Sequence, residues 1–364
     1  MVLYQLLAAT EDAARQHEVI SLTTAGPVAD RIRTIGVRVI ALGARPSPLA
    51  LVPAVVRLWR HLRRSKPDVV QTWMYHADLI GGVVARLAGV RAVVWGLHAG
   101  LLPPPGEKRF MKLMVRIAAV LSRVVPRTIV CCSETSRVVH EAVGYDPARM
   151  VVIENGFEPA ALVEADRRSA ARRALGIDDG DEVVGRVARF HPQKDYATMV
   201  AAAALVVAVR PGVRFVFVGK DITEANDELW HEIVSAGIDR SVLLLGERDD
   251  MDDVYDALDV AVSSSRFGEA LPLVVGEAMA RGIPVVSTDV GDVREILGDD
   301  VDVVPAAEPG LLADAIVKLL DAGYAERRRI ATSGRDRVLA RFGVAAMRAR
   351  YDAVYTAVAS GRGG

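Results

Sequence analysis

Short runs of apolar, mostly β-branched residues alternate along the chain with longer stretches of helical periodicity. The runs are apolar almost throughout, which is typical of parallel strands that are covered on both faces. Strand–helix–strand repetition of this kind predicts a doubly wound α/β domain. In the first part of the chain we predict strands near 17–22, 37–42, 68–73, 92–97, 127–132 and 150–155, with helices near 27–36, 48–66, 77–89, 107–125 and 133–143.

The alternation stops at residues 155–181, where an Asn-Gly turn signal is followed by a charged, helix-prone connector. It then restarts, which predicts a second α/β domain over residues 156–340, after a first domain over 1–155. The residues 341–360 have the pattern of a final helix. The strands of the second domain are predicted near 182–189, 213–219, 241–246, 259–265, 283–289 and 301–305.

The first sixteen residues, MVLYQLLAATEDAARQ, have the pattern of a helix. A doubly wound domain normally opens with a strand and a tight Gly-rich turn into its first helix. Neither precedes the first predicted strand. Either the first strand and the Gly-rich turn of this domain are missing from the chain, which would leave it poorly active or unstable, or the domain begins before the first strand predicted here.

Composition is that of an ordinary soluble globular protein, with 51% apolar and 25% charged residues among 364. The two cysteines are adjacent, which indicates a reducing, cytoplasmic compartment and no structural zinc. No signal peptide or membrane-spanning run is recognisable. Residues 1–155 hold 20 Lys and Arg against 11 Asp and Glu, whereas the remainder holds 25 against 35. The asymmetry indicates two domains with different partners.

Candidate chemistry lies in the stretch SSSRFGEALPLVVGEAMARGIPVVSTDVG, residues 263–291. Pro272 suits the first turn of a helix that Gly282 ends. Glu269 then lies in the loop before the helix and Glu277 lies more than one turn into it. Between them is the helix N-terminus, which favours phosphate. Two carboxylates around a phosphate-binding helix end fit a ligand with a central diphosphate and hydroxylated groups on both sides, such as a nucleotide-sugar. The spacing alone is also compatible with Glu269 as a cap-region residue and Glu277 as a solvated helix residue.

A second candidate is the segment GRVARFHPQKD, residues 185–195. Arg189 ends a predicted strand and Lys194 opens a helix, so both cations lie at the carboxyl edge of the same sheet, where ligands of open α/β sheets bind. Cations there could neutralise a diphosphate leaving group. Taken alone, the pair is equally compatible with ordinary surface charge.

These motifs together resemble those of the retaining glycosyltransferases of family 4. FGEALPLVVGEAMARGIPVVSTDVG is similar to the family's E-x7-E signature, GRVARFHPQKD to its Arg/Lys diphosphate motif, and VVIENGFEP to its interdomain segment. The segments DVVQTWMYHADLIGG and AVVWGLHAG resemble strands of its acceptor domain. The resemblance covers essentially the whole chain and is strongest over 180–297. It implies the GT-B architecture, two facing Rossmann-like domains with a cleft between them, and a final helix, 341–364, that joins the first domain.

The resemblance also implies roles for the donor-side residues. Glu269 would contact donor-sugar hydroxyls and take part in catalysis, and Glu277 would contact the ribose. The remaining donor-binding positions would hold the diphosphate through their side chains or backbone: Arg189, Lys194, Leu271, Leu273 and Val274. These groups would take the place of a metal, so neither a metal nor a cofactor beyond the UDP- or GDP-linked co-substrate is expected.

His98, in the loop after AVVWGL, matches the histidine of the family that approaches the donor sugar from the acceptor side, which makes it the second catalytic candidate. The implied activity is that of a metal-independent, hexosyltransferase-type glycosyltransferase (EC 2.4). Its acceptor would be a hydroxyl of a lipid-linked, polyprenyl-diphosphate-linked or polysaccharide glycan intermediate, as in polysaccharide biosynthesis. No nucleic-acid partner is expected.

The basic first domain places Arg and Lys beside apolar residues at helical spacing in 57–66 and 106–127. Such helices can lie on anionic membrane surfaces, so we expect a cytoplasmic protein that is peripheral at the inner face of the membrane. The same pattern also fits a helix whose apolar stripe packs on the sheet.

Other enzyme classes fit less well. The Asp-Gly-Asp at 179–181 precedes a strand, whereas a metal-dependent GT-A enzyme has an Asp-x-Asp after one. No GxGxxG, Walker A or GxSxG motif occurs. A nucleotide-sugar epimerase of the same architecture, an inactive sugar-nucleotide-binding homologue and a non-enzymatic sugar-binding protein remain as alternatives.

Overall fold

The computed structural model describes residues 2–9, 16–44, 48–101, 109–298, 301 and 303–361. The chain divides into two compact units. Unit 1 comprises Met1–Gly156 and Val344–Gly364, and unit 2 comprises Phe157–Gly343. Parts of two predicted helices, residues 10–15 and 107–108, lie outside the described residues.

The strands described in unit 1 form two parallel sheets. β1 (Glu18–Ser21) pairs with β2 (Arg38–Ala41). The second sheet runs in the order β3 (Val70–Gln71), β4 (Val93–Leu97), β5 (Thr128–Cys131) and β6 (Met150–Val152). All five residues of β4 are buried, as expected of a central strand covered on both faces, whereas β1, β2 and β3 contain no buried residue. In the part of the chain described, no ladder of hydrogen bonds joins β1 to β3.

Helices cover the sheets of unit 1. A π-helical segment, Ala77–Gly82, connects the fourth and fifth helices. The helices in chain order are α1 (Val2–Ala8), α2 (Pro27–Thr34), α3 (Pro48–Ser65), α4 (Met74–His76), α5 (Val83–Leu87), α6 (Arg109–Leu121) and α7 (Glu134–Ala142).

Unit 2 contains one six-stranded parallel sheet. Its strands are β7 (Glu182–Val187), β8 (Val213–Val218), β9 (Val242–Leu244), β10 (Val260–Ser263), β11 (Val285–Thr288) and β12 (Val303–Val304). Its helices are α8 (Ala165–Ala174), α9 (Tyr196–Val209), α10 (Asp227–Ser235), α11 (Met251–Ala257), α12 (Leu273–Ala280), α13 (Val293–Leu297), α14 (Pro309–Asp321) and α15 (Gly323–Phe342).

The strand order of unit 2 is β12-β11-β10-β7-β8-β9. Read from the other edge, this is the doubly wound order in which the first and fourth strands of the domain, β7 and β10, are neighbours. The chain leaves these two strands in opposite directions across the sheet, so their carboxyl ends form the topological switch point at which open α/β sheets bind ligands. The predicted α/β class, with doubly wound parallel sheets, is confirmed.

The last described helix, α16 (Val344–Ala359), belongs to unit 1. Its buried residues Met347, Tyr351 and Val358 share a hydrophobic core with Leu6 of α1 and Val94 of β4. The Arg348 guanidinium, also buried, donates to the Leu6 carbonyl at 3.0 Å. Helix α16 thus packs on the four-stranded sheet of unit 1.

A buried ion pair fastens α8 to the sheet of unit 2. Arg172 of α8 is 3% exposed and donates through Nη2 to Asp259 at 2.7 Å. Asp259 also accepts from the Val183 N–H at 2.8 Å and from Arg168. Three further carbonyls, those of residues 179, 181 and 257, accept from the Arg172 guanidinium. The charge is therefore compensated on all sides, which a buried ion requires.

Candidate functional site

The loop after β7 carries two of the predicted cations. Arg189 is exposed, and Lys194 ends a short 3₁₀ turn, Pro192–Lys194. The next residue, Asp195, has φ 49° and caps α9 by accepting from the N–H and the Oγ of Thr198, at 3.2 and 2.8 Å. A left-handed, non-glycine residue at this point is sparsely populated conformational space. The turn therefore fixes where the backbone of Lys194 lies.

The loop after β10 brings Glu269 to the same place. Glu269 is 9% exposed, and its Oε1 accepts from Ser265 Oγ at 2.7 Å and from the Lys194 ammonium. Lys194 and Glu269 therefore meet across the switch point between β7 and β10. The sequence predicted both side chains at this edge of the sheet but did not predict that they pair.

Helix α12 follows this loop directly. Pro272 occupies the N-cap position with φ −71° and ψ 95°, and Leu273 is the first helical residue. The first N–H groups of a helix have no carbonyl partner within it. The N–H groups of Leu273 and Val274 are therefore available as hydrogen-bond donors at the start of α12. The side chains of Leu271, Leu273 and Val274 pack into the hydrophobic core of unit 2, which leaves their backbone as the part able to meet a ligand.

Glu277 lies on the second turn of α12, beside a tyrosine of α11. Its Oε2 accepts from the Tyr255 hydroxyl at 3.2 Å, and burial raises the pKa of Glu277 above its ordinary value. The Arg281 guanidinium lies 4.6 Å from the centroid of the Tyr255 ring. The Glu277 carboxylate thus lies where solvent has only partial access, and its partner is Tyr255 rather than the Lys194–Glu269 pair.

The backbone around Glu269 is supported by a glycine. Gly291 has φ 67°, and a methyl group at this position would lie 2.6 Å from the Glu269 carbonyl oxygen and 2.8 Å from that of Ala270. The Asp292 N–H donates to the Ala270 carbonyl at 2.9 Å. Only glycine tolerates both the left-handed φ and this close approach. The conformation of the Glu269 loop therefore depends on the segment after β11.

His98, in unit 1, follows β4 directly. Its ring stacks on Trp73 with centroids 5.1 Å apart and planes inclined by 23°. Burial lowers the pKa of His98 to about 4, so the imidazole is neutral near pH 7. A neutral imidazole can accept or donate a hydrogen bond without carrying a full charge.

Sequence reasoning missed three residues that contact the predicted ones. Ser265 and Tyr255 donate to the two glutamates, and Arg186 of β7 donates to the Lys194 carbonyl. The signal available for Arg186 was a charged residue between the apolar and small residues of the run VVGRV. In the described ranges, no group of three or more His, Cys, Asp or Glu side chains is arranged to hold a metal ion.

Two family models match the chain, one to each unit. The model of Glycosyltransferase Family 4 matches residues 2–161, and that of the Glycosyl transferases group 1 matches residues 181–322. A D-inositol 3-phosphate glycosyltransferase of Rhodococcus erythropolis is 31% identical over 324 residues, which are 80% of this chain and 71% of that protein. The chain belongs to glycosyltransferase family 4. The resemblance on which the sequence-based assignment depended is confirmed.

A second relative is less similar over a shorter region. The UDP-Gal:alpha-D-GlcNAc-diphosphoundecaprenol alpha-1,3-galactosyltransferase of Escherichia coli is 26% identical over 253 residues, 68% of this chain. The chain spans 65% of the length of that relative.

Solved structures show the fold. Anabaena HepE in complex with UDP-glucose superposes with a TM-score of 0.84 at 22% identity, covering 98% of this chain and 95% of HepE. The sucrose-phosphate synthase of Thermosynechococcus elongatus gives a TM-score of 0.79 at 19% identity, covering 98% and 92%. The chain has the GT-B fold of the family, with two Rossmann-like units, as the sequence predicted.

Proposed function

We propose that this chain transfers a sugar from a nucleotide-diphosphate sugar to a hydroxyl group of an acceptor, with retention of anomeric configuration. The observation that supports this best is the meeting of Lys194 and Glu269 at the switch point of unit 2, directly before the N-terminus of α12. A cation, a carboxylate and a helix N-terminus at one sheet edge are suited to a ligand that contains phosphates and hydroxyls.

Each donor-side residue then has a role. Arg189 and Lys194 hold the diphosphate with the backbone of residues 271–274, Glu269 binds the sugar hydroxyls, and Glu277 binds the ribose. The separate environments of the two glutamates support this division, because Glu277 is paired with Tyr255 and Glu269 with Lys194. The complexes of HepE with UDP-glucose support a UDP-linked donor.

In the proposed mechanism the acceptor oxygen attacks the anomeric carbon on the face from which the diphosphate departs. The bond from the anomeric carbon to the phosphate oxygen breaks, and the bond to the acceptor oxygen forms on the same face. The departing phosphate accepts the proton of the acceptor hydroxyl, while Arg189 and Lys194 stabilise the charge that develops on it. These cations make a metal or another cofactor unnecessary. His98 is the proposed acceptor-side catalytic residue, acting as a neutral hydrogen-bonding group.

We propose a lipid-linked or polysaccharide glycan intermediate as the acceptor, met at the cytoplasmic face of the membrane. The names of the relatives support this class, since one acts on a diphosphoundecaprenol-linked sugar and another on inositol 3-phosphate. The excess of Lys and Arg in residues 1–155 is complementary to anionic lipid headgroups and to diphosphate-linked acceptors. A nucleic-acid partner forms no part of the proposal.

An apolar stripe on α6 and the residues after it supports contact with a membrane surface. Five side chains at helical spacing are exposed although apolar, and Lys112, Arg116 and Arg123 are exposed beside them. The opposite face of α6 packs into the core of unit 1, so the exposed apolar stripe is not the face that attaches the helix to that core. None of the helices in the described part of the chain is long and apolar enough to cross a bilayer. The α6 stripe consists of Phe110 (64% exposed), Leu113 (54%), Ile117 (42%), Val120 (67%) and Val124 (60%).

Flotation with liposomes tests this surface. The chain is expected to float with vesicles of phosphatidylcholine and phosphatidylglycerol and much less with phosphatidylcholine alone, because exposed cations flank the stripe. The double variant Leu113→Glu, Val120→Glu is expected to stay at the bottom of the gradient. The matched control is Leu205→Glu, Leu311→Glu, which changes two exposed leucines of unit 2. Equal loss in both variants, or no flotation of the parent chain, contradicts membrane contact and favours a soluble acceptor.

A panel of UDP- and GDP-linked sugars tests the activity. The matching donor at about 100 times its Kd contributes about 2.7 kcal/mol to the free energy of unfolding, so the unfolding midpoint is expected to rise by several degrees. The matching donor and acceptor should then give glycosylated product with retained configuration, in the presence of EDTA.

The alternatives give different results in the same assay. An epimerase converts the nucleotide-sugar, or releases free sugar or UDP, with no acceptor present and without forming glycoside. An inactive homologue shifts the midpoint but neither transfers nor hydrolyses the donor. If no member of the panel shifts the midpoint and no transfer is detected, the proposed function is wrong.

A further inference from the structure

Two aromatic side chains follow neighbouring strands of unit 1 at their carboxyl ends. Trp73 comes shortly after β3 and His98 directly after β4, and β3 pairs with β4 in parallel. Their rings stack with centroids 5.1 Å apart and an angle of 23° between the planes. Open α/β sheets bind ligands at the carboxyl ends of their strands. The stack therefore lies at the edge of unit 1 that is suited to a ligand.

The backbone on both sides of Trp73 is held in place. The next residue, Met74, has φ 71°, and a strained residue of this kind persists only where its surroundings hold it. The preceding residue, Thr72, donates from Oγ1 to the buried Asp78 carboxylate at 2.6 Å. The Thr72 N–H donates to the Val94 carbonyl of β4 at 2.9 Å. These contacts fix the direction in which the chain leaves β3, and with it the position of Trp73.

The Trp73 ring is supported by α16 and lies against β4. Its centroid is 6.1 Å from that of Tyr351, which is 1% exposed, and the ring packs on the core that α16 shares with β4. A methyl group at Gly96 of β4 would lie 2.9 Å from the Thr72 carbonyl oxygen and 3.5 Å from Trp73 Cε3. Glycine at this position therefore lets the turn that carries Trp73 approach β4 closely.

His98 has a buried ring nitrogen without a partner. In the part of the chain that the structure describes, no group forms a hydrogen bond with His98 Nε2. Buried polar atoms of proteins are nearly always hydrogen-bonded, so an exception requires an explanation. The Cys132 N–H donates to the Leu97 carbonyl at 3.0 Å, which fixes the backbone before His98 but not its ring. Among the described contacts, stacking on Trp73 is the one that sets the orientation of the imidazole.

We infer that Trp73 is a positioning residue, which holds the His98 imidazole in the orientation that it needs during sugar transfer. The inference rests on the proposed function, in which His98 is the catalytic residue on the acceptor side. The stack leaves Nε2 unpaired and so available to a hydroxyl group of the ligand. Because Tyr351 supports Trp73, helix α16 contributes to the position of a catalytic group of unit 1.

Turnover of Trp73 variants tests the inference. Trp73→Leu keeps apolar packing on the core but removes the ring on which the imidazole stacks. We expect kcat to fall by between about tenfold and about 10²-fold, as it does when a reacting group is misplaced. The KM for the nucleotide-sugar should stay within about twofold of that of the parent, because the proposed donor-binding residues lie in unit 2.

Two further variants show whether the aromatic ring is what matters. Trp73→Phe restores a ring that can stack on the imidazole, so its kcat should return to within about threefold of that of the parent. Trp230→Leu is the matched control, since Trp230 of α10 is also partly buried and packs on the core of unit 2. It should leave kcat and KM unchanged. Equal losses of kcat in Trp73→Leu and Trp73→Phe contradict the inference.

A double-mutant cycle separates positioning from a general loss of structure. His98→Ala is expected to lower kcat by about 10²–10³-fold. Adding Trp73→Leu to His98→Ala should change kcat by less than about twofold, because the ring that Trp73 positions is already gone. An undiminished effect of Trp73→Leu in the His98→Ala background overturns the inference, and so does a Trp73→Leu variant with the kcat of the parent.

Proton NMR of the His98 ring is a measurement that requires no turnover. Burial lowers the pKa of His98 to about 4. In the parent chain its ring-proton signal, identified by its loss in His98→Ala, should therefore not titrate between about pH 8 and about pH 5.5. In Trp73→Leu, water reaches the imidazole and stabilises its charged form, so the pKa should rise towards about 6.5.

Two results of the NMR experiment contradict the inference. One is a His98 signal that titrates with the ordinary pKa in the parent chain, which can be measured even if Trp73→Leu does not fold. The other is a folded Trp73→Leu variant in which the pKa of His98 remains as low as in the parent. In Trp73→Phe, which keeps a ring against the imidazole, the pKa should stay low.

Failure of this inference and failure of the proposed function give different results. If His98→Ala retains the turnover of the parent, His98 is not a catalytic residue and that part of the proposed function is wrong. If His98→Ala loses turnover but Trp73→Leu does not, or if the effect of Trp73→Leu persists without His98, only the role of Trp73 is wrong.

Discussion

Lys194→Ala is expected to lower kcat/KM for the nucleotide-sugar by about 10²–10³-fold, the usual cost of removing one preorganised group that stabilises charge in a transition state. The substitution removes a cation from the switch point and the ammonium partner of Glu269. Under the proposed function, losing this cation weakens binding of the departing diphosphate more than that of the ground-state donor, so kcat should fall more than KM rises. Steady-state kinetics with saturating acceptor measures the two constants.

The matched control is Lys318→Ala, which removes an exposed lysine of α14. It should leave both kinetic constants unchanged. The double variant Lys194→Ala, Glu269→Ala should lose less than the product of the two single effects, because the residues contact each other. Turnover of Lys194→Ala within twofold of that of the parent would show that Lys194 does not bind the donor.

The largest expected loss of stability follows from Asp259→Ala. Asp259 compensates the Arg172 guanidinium, which is 3% exposed, and also accepts from the Val183 N–H. Removing one member of a buried pair leaves the other charge without its counter-ion, which costs about 3–5 kcal/mol. Urea denaturation followed by circular dichroism should show the midpoint of unit 2 shifted to lower urea.

Glu295→Ala is the control for this experiment, because Glu295 pairs with Arg341 on the surface, where both side chains are about half exposed. Exposed pairs contribute little, so the midpoint should scarcely move. Adding Arg172→Met to Asp259→Ala should recover part of the lost stability, since the buried guanidinium left without its counter-ion is then also removed. If Asp259→Ala and Glu295→Ala shift the midpoint equally, the buried pair has no special role.

Much of the fold was predictable because apolar strand runs are a local signal. All twelve predicted strands are present, and the start of α12 next to Pro272 and its end before Gly282 follow from the turn chemistry of those two residues. Placing the ligand required one further rule, that open α/β sheets bind ligands at the carboxyl ends of their strands. Hence the sequence is sufficient to assign Arg189, Lys194 and Glu269 to one sheet edge.

The pairing of side chains was not predictable from the same signals. Lys194 and Glu269 are 75 residues apart, and Arg186 reaches the Lys194 carbonyl only because the loop after β7 folds back over its own strand. Contacts of this kind depend on loop conformation, here on the left-handed Asp195, which no periodicity encodes. The requirement for glycine at position 291 was equally unpredictable, because it comes from the close approach of the Glu269 and Ala270 carbonyl oxygens in another loop.

The two separate sheets of unit 1 have a consequence for its local opening. β1 and β2 pair only with each other in the described part of the chain, and a two-stranded arrangement has little stability of its own. The amide groups of residues 18–21 and 38–41 should therefore exchange with solvent through small fluctuations, whereas those of β4 and β5 should exchange only when the core of unit 1 opens. In unit 1, the amide groups of the β1–β2 sheet are thus expected to be weakly protected from exchange, and those of the central strands of the β3–β6 sheet strongly protected.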